Sequence, residues 1–125
     1  MTGVFYILGD ADRVREQIER QLLTGHLEEL ARLSAVLTRE LAALVASVEE
    51  LGAKTIMAGG DDVLFQVPTS AYSFEALRTI AATFLSNTGC TISFGVGPEV
   101  ELAYLNLRRA KAAGGGIIVA TGASS

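Results

Sequence analysis

The stretch Lys54-Thr55-Ile56-Met57-Ala58-Gly59-Gly60-Asp61-Asp62-Val63-Leu64-Phe65-Gln66-Val67 decides the fold. Lys54 to Ala58 and Val63 to Val67 read as strands, and Gly59-Gly60-Asp61-Asp62 lies between them. Two strands joined by a tight glycine-containing turn form a β-hairpin. Gly59 and Gly60 allow φ > 0 in that turn. They also leave the tip of the turn free of side chains. Pro68 and Ser70 end the second strand.

On the N-terminal side, Leu27, Leu30, Ser34, Leu37, Leu41, Leu44, Val48 and Leu51 step alternately by three and four, the stripe of one helix face. At 1.5 Å per residue that helix runs roughly 37 Å, and Gly52 stops it. A heptad stripe also suits a coiled coil, but about three heptads followed at once by strands fit a helix lying across a sheet better. Further upstream, Val4 to Leu8 is a buried strand ending at Gly9-Asp10, and Val14, Ile18 and Leu22 mark a short helix between Asp12 and Leu23. Beyond the hairpin come a helix (Phe74, Leu77, Ile80, Ala81, Phe84), a strand from Cys90 to Val96, a helix (Val100, Ala103, Leu107, Ala110) ending at Gly114, and a last strand from Gly116 to Ala120.

The order β-α-α-β-β-α-β-α-β contains a βαββαβ split unit. The fold class is therefore α/β (α+β): a ferredoxin-like antiparallel sheet with helices on one face. Residues 1–120 form the single domain and 121–125 a flexible tail.

Composition narrows the function classes. The 125 residues carry 14 acidic against 10 basic side chains, a net charge of −4, and half of them are hydrophobic. A chain of this length buries roughly two-thirds of its unfolded surface. The acidic balance argues against duplex nucleic-acid binding, which needs a basic stripe. Cys90 stands alone and forms no internal disulfide; it reads as a small buried hydrophobe. The opening MTGVFYILGD has no basic n-region, and no run of about 18 apolar residues occurs, so a cytoplasmic protein that neither crosses nor binds a membrane is expected.

Two acidic clusters sit where strands end: Asp10-Ala11-Asp12 after the first strand and Asp61-Asp62 at the hairpin tip. A ferredoxin-like sheet places the first strand beside the hairpin, so the clusters should meet at one edge. Adjacent carboxylates repel unless a cation lies between them, and Mg²⁺ is held by one or two carboxylates plus substrate phosphates. The same residues also have a plain reading, since Gly-Gly-Asp-Asp is good turn chemistry in any hairpin.

The hairpin Ile56 to Phe65 resembles the GGDD signature of the polymerase/cyclase palm in type III CRISPR large subunits, which is related to the GGDEF palm of diguanylate cyclases. Tyr6-Ile7-Leu8-Gly9-Asp10-Ala11-Asp12 resembles the strand carrying the first metal aspartate of those palms. Ser93-Phe94-Gly95-Val96-Gly97 and Arg108-Arg109-Ala110-Lys111-Ala112-Ala113-Gly114 resemble their fourth strand and their "AK..G" motif. A free-standing palm of this length most resembles the minimal CRISPR polymerase (mCpol) family.

That resemblance implies a nucleotidyl cyclase that converts ATP, or other nucleoside triphosphates, into a cyclic dinucleotide or oligonucleotide messenger in anti-phage signalling. The product would act on a separate effector protein. It implies two Mg²⁺ (or Mn²⁺) ions per site, bound by Asp10 and Asp61 with Asp62 and the Ala11 carbonyl as supplements. Asp12 matches a more variable acidic position and is expected to contact the nucleotide. Lys111 matches the lysine that holds triphosphate oxygens, and Arg108 and Arg109 are further candidates, although a basic last helical turn also suits the helix dipole without a ligand. Asp62 and Val63 replace the glutamate and phenylalanine of GGDEF, and no Arg-x-x-Asp motif precedes Gly59. Both count against a diguanylate cyclase. The run Ala112-Ala113-Gly114-Gly115-Gly116 lacks the polar residues expected after the glycine of the motif.

With metal-assisted chemistry no general-base histidine is needed. The only histidine, His26, reads as a surface residue at a helix start. One palm holds one hairpin, whereas cyclisation needs two nucleotides with opposed sugars, so a twofold homodimer is expected. Ser34 interrupts an aliphatic stripe. Its hydroxyl, read as buried, needs a partner: it either reads an adenine edge in an apolar pocket or bonds back to the Leu30 carbonyl. Phe5, Phe65 and Phe94 read as core. The rival readings are a catalytically silent nucleotide-sensing palm, a scaffold pairing through Leu27–Leu51, and a synthase of linear oligoadenylates.

Overall fold

The structure, a computed structural model, describes residues 3–122. The elements are β1 (Val4–Ala11), α1 (Val14–Thr24), α2 (Leu27–Glu50), β2 (Lys54–Gly59), β3 (Asp62–Pro68), α3 (Phe74–Thr88), β4 (Ile92–Gly97), α4 (Val100–Ala112) and β5 (Ile118–Ala120). Their order is the one expected from the sequence. They build one five-stranded sheet in the order β2-β3-β1-β4-β5.

Two details of the expected sheet need correction. β1 pairs antiparallel with both β3 and β4, and β2 with β3, but β5 pairs parallel with β4. The sheet is therefore mixed. The antiparallel expectation holds for the four strands of the βαββαβ unit, and α4 then makes a crossover that returns the chain in the direction of β4.

The helices also lie on both faces. Side chains alternate along a strand, so Phe5, Ile7, Val63, Phe65, Ile92, Phe94 and Val96 share one side, where they pack with Leu41, Leu44 and Val48 of α2 and with Leu77 and Phe84 of α3. Each such buried side chain stabilises the fold by roughly 1.5–3 kcal/mol. The opposite side of β4 carries α4. A Cβ on Gly95 would stand 2.1 Å from the Ala103 carbonyl oxygen and 2.3 Å from the Leu107 nitrogen, so the bare glycine lets the α4 backbone seat on the strand. All six residues of β4 are consequently buried.

The long helix is only partly a core helix. α2 has 24 residues, about 36 Å at helical rise. β1 has eight, roughly 26 Å at strand rise. The helix outruns the sheet. Leu41, Leu44 and Val48 in its C-terminal half are buried, whereas Leu27 near its start is 66 % exposed. The overhanging half is met by α1, which buries none of its own residues, and an open cleft lies between them. Ser73 caps α3 by accepting the Ala76 N–H at 3.1 Å.

Thr121, which the sequence reading placed in the tail, is held. Its N–H donates to the Val96 carbonyl at 3.0 Å, and Asn106 Nδ2 donates to its Oγ1 at 3.0 Å. Residues 123–125 of that tail lie outside the described residues. Among the described residues no helix is long and apolar enough to cross a membrane.

Candidate active site

The end of β1 and the tip of the β2–β3 hairpin lie side by side. Asp10 is the register partner of Asp62, and the Ala11 N–H donates to the Asp61 carbonyl at 3.1 Å. One carboxylate oxygen from each of Asp10, Asp61 and Asp62 lies within 4.8 Å of the others. Like charges at that range repel without a cation. Asp10 Oδ1 is buried with no hydrogen-bond partner, an acceptor that a metal ion would satisfy. Burial, then the neighbouring Asp62 carboxyl, push the Asp10 pKa above its ordinary value, against the pull of Lys111. Three hard oxygen donors with a backbone carbonyl beside them suit Mg²⁺ or Mn²⁺.

The two hairpin glycines differ. Gly60 has φ +63°, the left-handed first position of a two-residue turn. Gly59 does not adopt positive φ, so only Gly60 uses the freedom that both glycines allow the turn. A Cβ on Gly59 would also meet nothing within 4 Å. Neither conformation nor packing calls for a glycine there, and the surface beside Asp61 stays bare.

Asp12 does not face a ligand. It is buried, and its carboxylate accepts from Thr91 Oγ1 at 2.8 Å, Ser93 Oγ at 2.8 Å, the Gly116 N–H at 2.9 Å and Lys111 Nζ at 2.6 Å. Burial alone would raise its pKa, but hydrogen bonds from Lys111, Thr91 and Ser93 hold it below the ordinary carboxylate value. This corrects its assignment as a nucleotide contact. The glycine run after α4 has the same explanation. Gly115 sits at φ +81°, and a Cβ there would stand 2.9 Å from the Asp12 carboxyl carbon, so the turn wraps the carboxylate closely.

Lys111, from the last turn of α4, also pairs with Asp10 Oδ2 at 3.1 Å. Burial opposes its charge, but hydrogen bonds to Asp12 and Asp10 raise its pKa above the ordinary lysine value. Lys111 and the exposed Arg108 line a cleft of about 670 Å³ on the α4 side of β1, with Asp10, Asp62, Met57 and Tyr104. Arg109 is engaged elsewhere: its Nη1 donates to Asn106 Oδ1 at 2.7 Å.

A second cleft, of about 640 Å³, lies under the overhang of α2. Ser34, Leu37, Thr38, Ile18 and Gly60 line it. Ser34 is exposed there, which corrects the reading of its hydroxyl as buried, and among the described residues it makes no bond to the Leu30 carbonyl. The two clefts share Ala11, Val14, Arg15 and Asp61, so they adjoin at the acidic cluster.

Arg13 and Arg15 were not singled out by sequence reasoning, yet both line the α4-side cleft, and Arg15 reaches the other as well. Alternating charges at a helix start normally read as a solvated face. The available signal was their place directly after Asp10-Ala11-Asp12. Arg13 is the one non-glycine residue at positive φ (59°) among the described residues. His26 is exposed at the start of α2, and Cys90 is buried, accepting from Gln17 Nε2 at 3.2 Å. Phe5, Phe65 and Phe94 are in the core.

A family model described as the minimal CRISPR polymerase domain, mCpol, matches residues 6–121. No curated protein matches the chain. Among solved structures, the GGDEF domain of DgcB from Caulobacter crescentus in complex with c-di-GMP aligns at a TM-score of 0.70 and 18 % identity, over 95 % of this chain and 78 % of that one. The Csm1–Csm4 cassette in complex with cA4 aligns at 0.62 and 19 %, over 96 % of this chain but only 21 % of that one. The active GGEEF domain of a diguanylate cyclase from Vibrio cholerae aligns at 0.55 and 11 %, over 97 % and 84 %. At such identities the likeness is one of fold, that of a nucleotidyl-cyclase palm.

Proposed function

Because the chain belongs to the minimal CRISPR polymerase (mCpol) family, we propose that it is a nucleotidyl cyclase that joins ATP into a cyclic dinucleotide or cyclic oligonucleotide and releases pyrophosphate. The observation that carries this reading is the convergence of Asp10, Asp61 and Asp62, each offering an oxygen within 4.8 Å of the others, at the junction of two clefts. Relatives of the same fold were captured with cyclic nucleotides, c-di-GMP and cA4.

Asp10 and Asp61 would hold two divalent ions, with Asp62 and the Ala11 carbonyl as supplementary ligands. Magnesium or manganese, when bound there, lowers the pKa of the attacking ribose hydroxyl and offsets charge on the leaving pyrophosphate. The chain's own groups do the rest by positioning and electrostatics. The base enters the cleft under α2, where Ser34 offers a hydroxyl to an adenine edge and Leu37 and Ile18 supply apolar walls. Bare Gly59 and Gly60 let the sugar and α-phosphate approach the hairpin. Lys111 and Arg108, with Arg15 at the junction of the clefts, take charge building on the phosphate oxygens.

In the first step a ribose hydroxyl oxygen of one ATP bonds to the α-phosphorus of another, and in the second the free ribose hydroxyl of the linear intermediate bonds to that intermediate's own α-phosphorus. Each time the bond from the α-phosphorus to the oxygen bridging the β-phosphate breaks and the proton leaves to solvent. Two such steps close a dinucleotide ring and release two pyrophosphates. One chain offers one hairpin, so two chains face each other across a twofold axis. The product acts on a separate effector in anti-phage signalling.

Incubation with each of the four NTPs and Mg²⁺, followed by mass analysis, tests the reading. A cyclic adenylate from the wild type and none from Asp61→Ala supports it. Linear oligoadenylates alone, or nucleotide binding without turnover, point to the rival readings. In mixtures of Asp61→Ala and wild-type chains, intermediate activity is expected. Unchanged activity per wild-type chain argues against a shared site.

A further inference from the structure

The acidic cluster already holds a cation of the chain's own. Lys111 Nζ lies 2.6 Å from Asp12 Oδ1, 3.1 Å from Asp10 Oδ2 and 3.3 Å from each of the carbonyl oxygens of Asp10 and Ala11. Four oxygens converge on an ammonium with three N–H donors, an arrangement like the shell of a bound ion. Asp12 fixes this arrangement. Its own oxygens are tied down by Thr91, Ser93 and the Gly116 N–H, so it anchors the ammonium and does not follow it.

Resting on the metal-site reading above, we infer that Lys111 is a tethered counter-cation that competes with the divalent ion for Asp10 and the Ala11 carbonyl, and that the incoming triphosphate draws it away. The Ala11 oxygen cannot serve both comfortably. A Mg²⁺ ion at about 2.1 Å from that oxygen stands within roughly 5 Å of Nζ while the lysine contact persists. Repulsion between a single and a double positive charge at that range weakens metal binding on the order of tenfold, even at the dielectric of water. A triphosphate gives the ammonium new acceptors and removes the conflict. Metal is then retained strongly only when nucleotide is present, and the metal-free site stays folded with its carboxylates partly neutralised.

The test is Mn²⁺ binding to the full chain, without nucleotide, by titration calorimetry. Lys111→Met is expected to bind Mn²⁺ about tenfold more tightly than wild type, and Lys111→Arg, which keeps the charge, about as wild type does. Equal or weaker binding by Lys111→Met overturns the inference alone. No Mn²⁺ binding by either the wild type or Lys111→Met overturns the metal-site reading, and this inference with it. A second readout needs no variant. In the wild type the ¹⁵N signal of the hydrogen-bonded Lys111 ammonium is expected to shift, as carboxylate and carbonyl acceptors are exchanged for phosphate oxygens, when Mg²⁺ and a non-hydrolysable ATP analogue are added together. A signal that persists unchanged overturns the inference.

Discussion

Replacing Asp62 by asparagine should stabilise the metal-free protein while weakening its response to metal. The carboxylate oxygens of Asp10, Asp61 and Asp62 lie within 4.8 Å of one another, and Asp61 and Asp62 are exposed, so water's dielectric is the conservative choice. Each like-charged pair then costs about 0.9 kcal/mol. Asp62 belongs to two such pairs, and neutralising it relieves roughly 1–2 kcal/mol. Asparagine keeps the shape of the side chain. For a domain of this size the gain corresponds to a rise in Tm of roughly 4–8 °C. The assay is thermal unfolding in chelator at low ionic strength, repeated in about 0.5 M salt, where screening should erase most of the difference. Added Mg²⁺ should then raise the Tm of wild type by linkage and that of Asp62→Asn much less. If Asp62→Asn melts lower than wild type in chelator, or if both chains respond equally to Mg²⁺, the carboxylates are not a strained cation site and the reasoning fails.

Three further outcomes follow from the packing and the clefts. Gly95→Ala places a Cβ 2.1 Å from the Ala103 carbonyl oxygen; backbone must shift, so a loss of about 3 kcal/mol or more is expected in urea unfolding, and a loss below about 0.5 kcal/mol refutes the close seat of α4 on β4. Gly59→Ala has open space and no positive φ to overcome, so stability should hold or rise by about 0.4–1 kcal/mol while product formation falls at least tenfold; retained activity means that no ligand approaches that backbone. Ser34→Ala should leave stability within about 0.5 kcal/mol, as an exposed side chain, and reduce the preference for ATP over GTP in competition assays; an unchanged preference removes Ser34 from base reading.

Much of this molecule was legible in its sequence because the decisive signals were local. The Gly-Gly-Asp-Asp turn between two apolar runs specified the hairpin, and topology alone brought its tip beside Asp10, as the register pairing with Asp62 confirms. The long stripe of α2 announced a helix, but periodicity carries no information about how far a sheet extends beneath it. The overhang that exposes Leu27 and Ser34 depends on the comparison of helix and strand lengths, a tertiary matter. The direction of β5 was hidden for the same reason: three residues, Ile118–Ala120, carry no mark of parallel pairing.

At the site, residue type misled where a side chain's partners come from distant segments. Asp12 looks like Asp10 in sequence, yet Thr91, Ser93, Gly116 and Lys111 enclose it from residues 79 to 104 positions away. Gly114-Gly115-Gly116 read as a turn short of polar contacts, whereas its backbone closes around that carboxylate. Arg13 and Arg15 passed as a charged helix start because only the three-dimensional meeting of two clefts gives them a common target.

The central claim is that Asp10, Asp61 and Asp62 jointly seat divalent ions against a nucleoside triphosphate. Anomalous diffraction from crystals grown with Mn²⁺ and a non-hydrolysable ATP analogue measures this directly. The account predicts manganese peaks bonded to carboxylate oxygens of Asp10 and Asp61, with the triphosphate beside them. Manganese bound elsewhere, or a triphosphate held with those carboxylates bare, contradicts it.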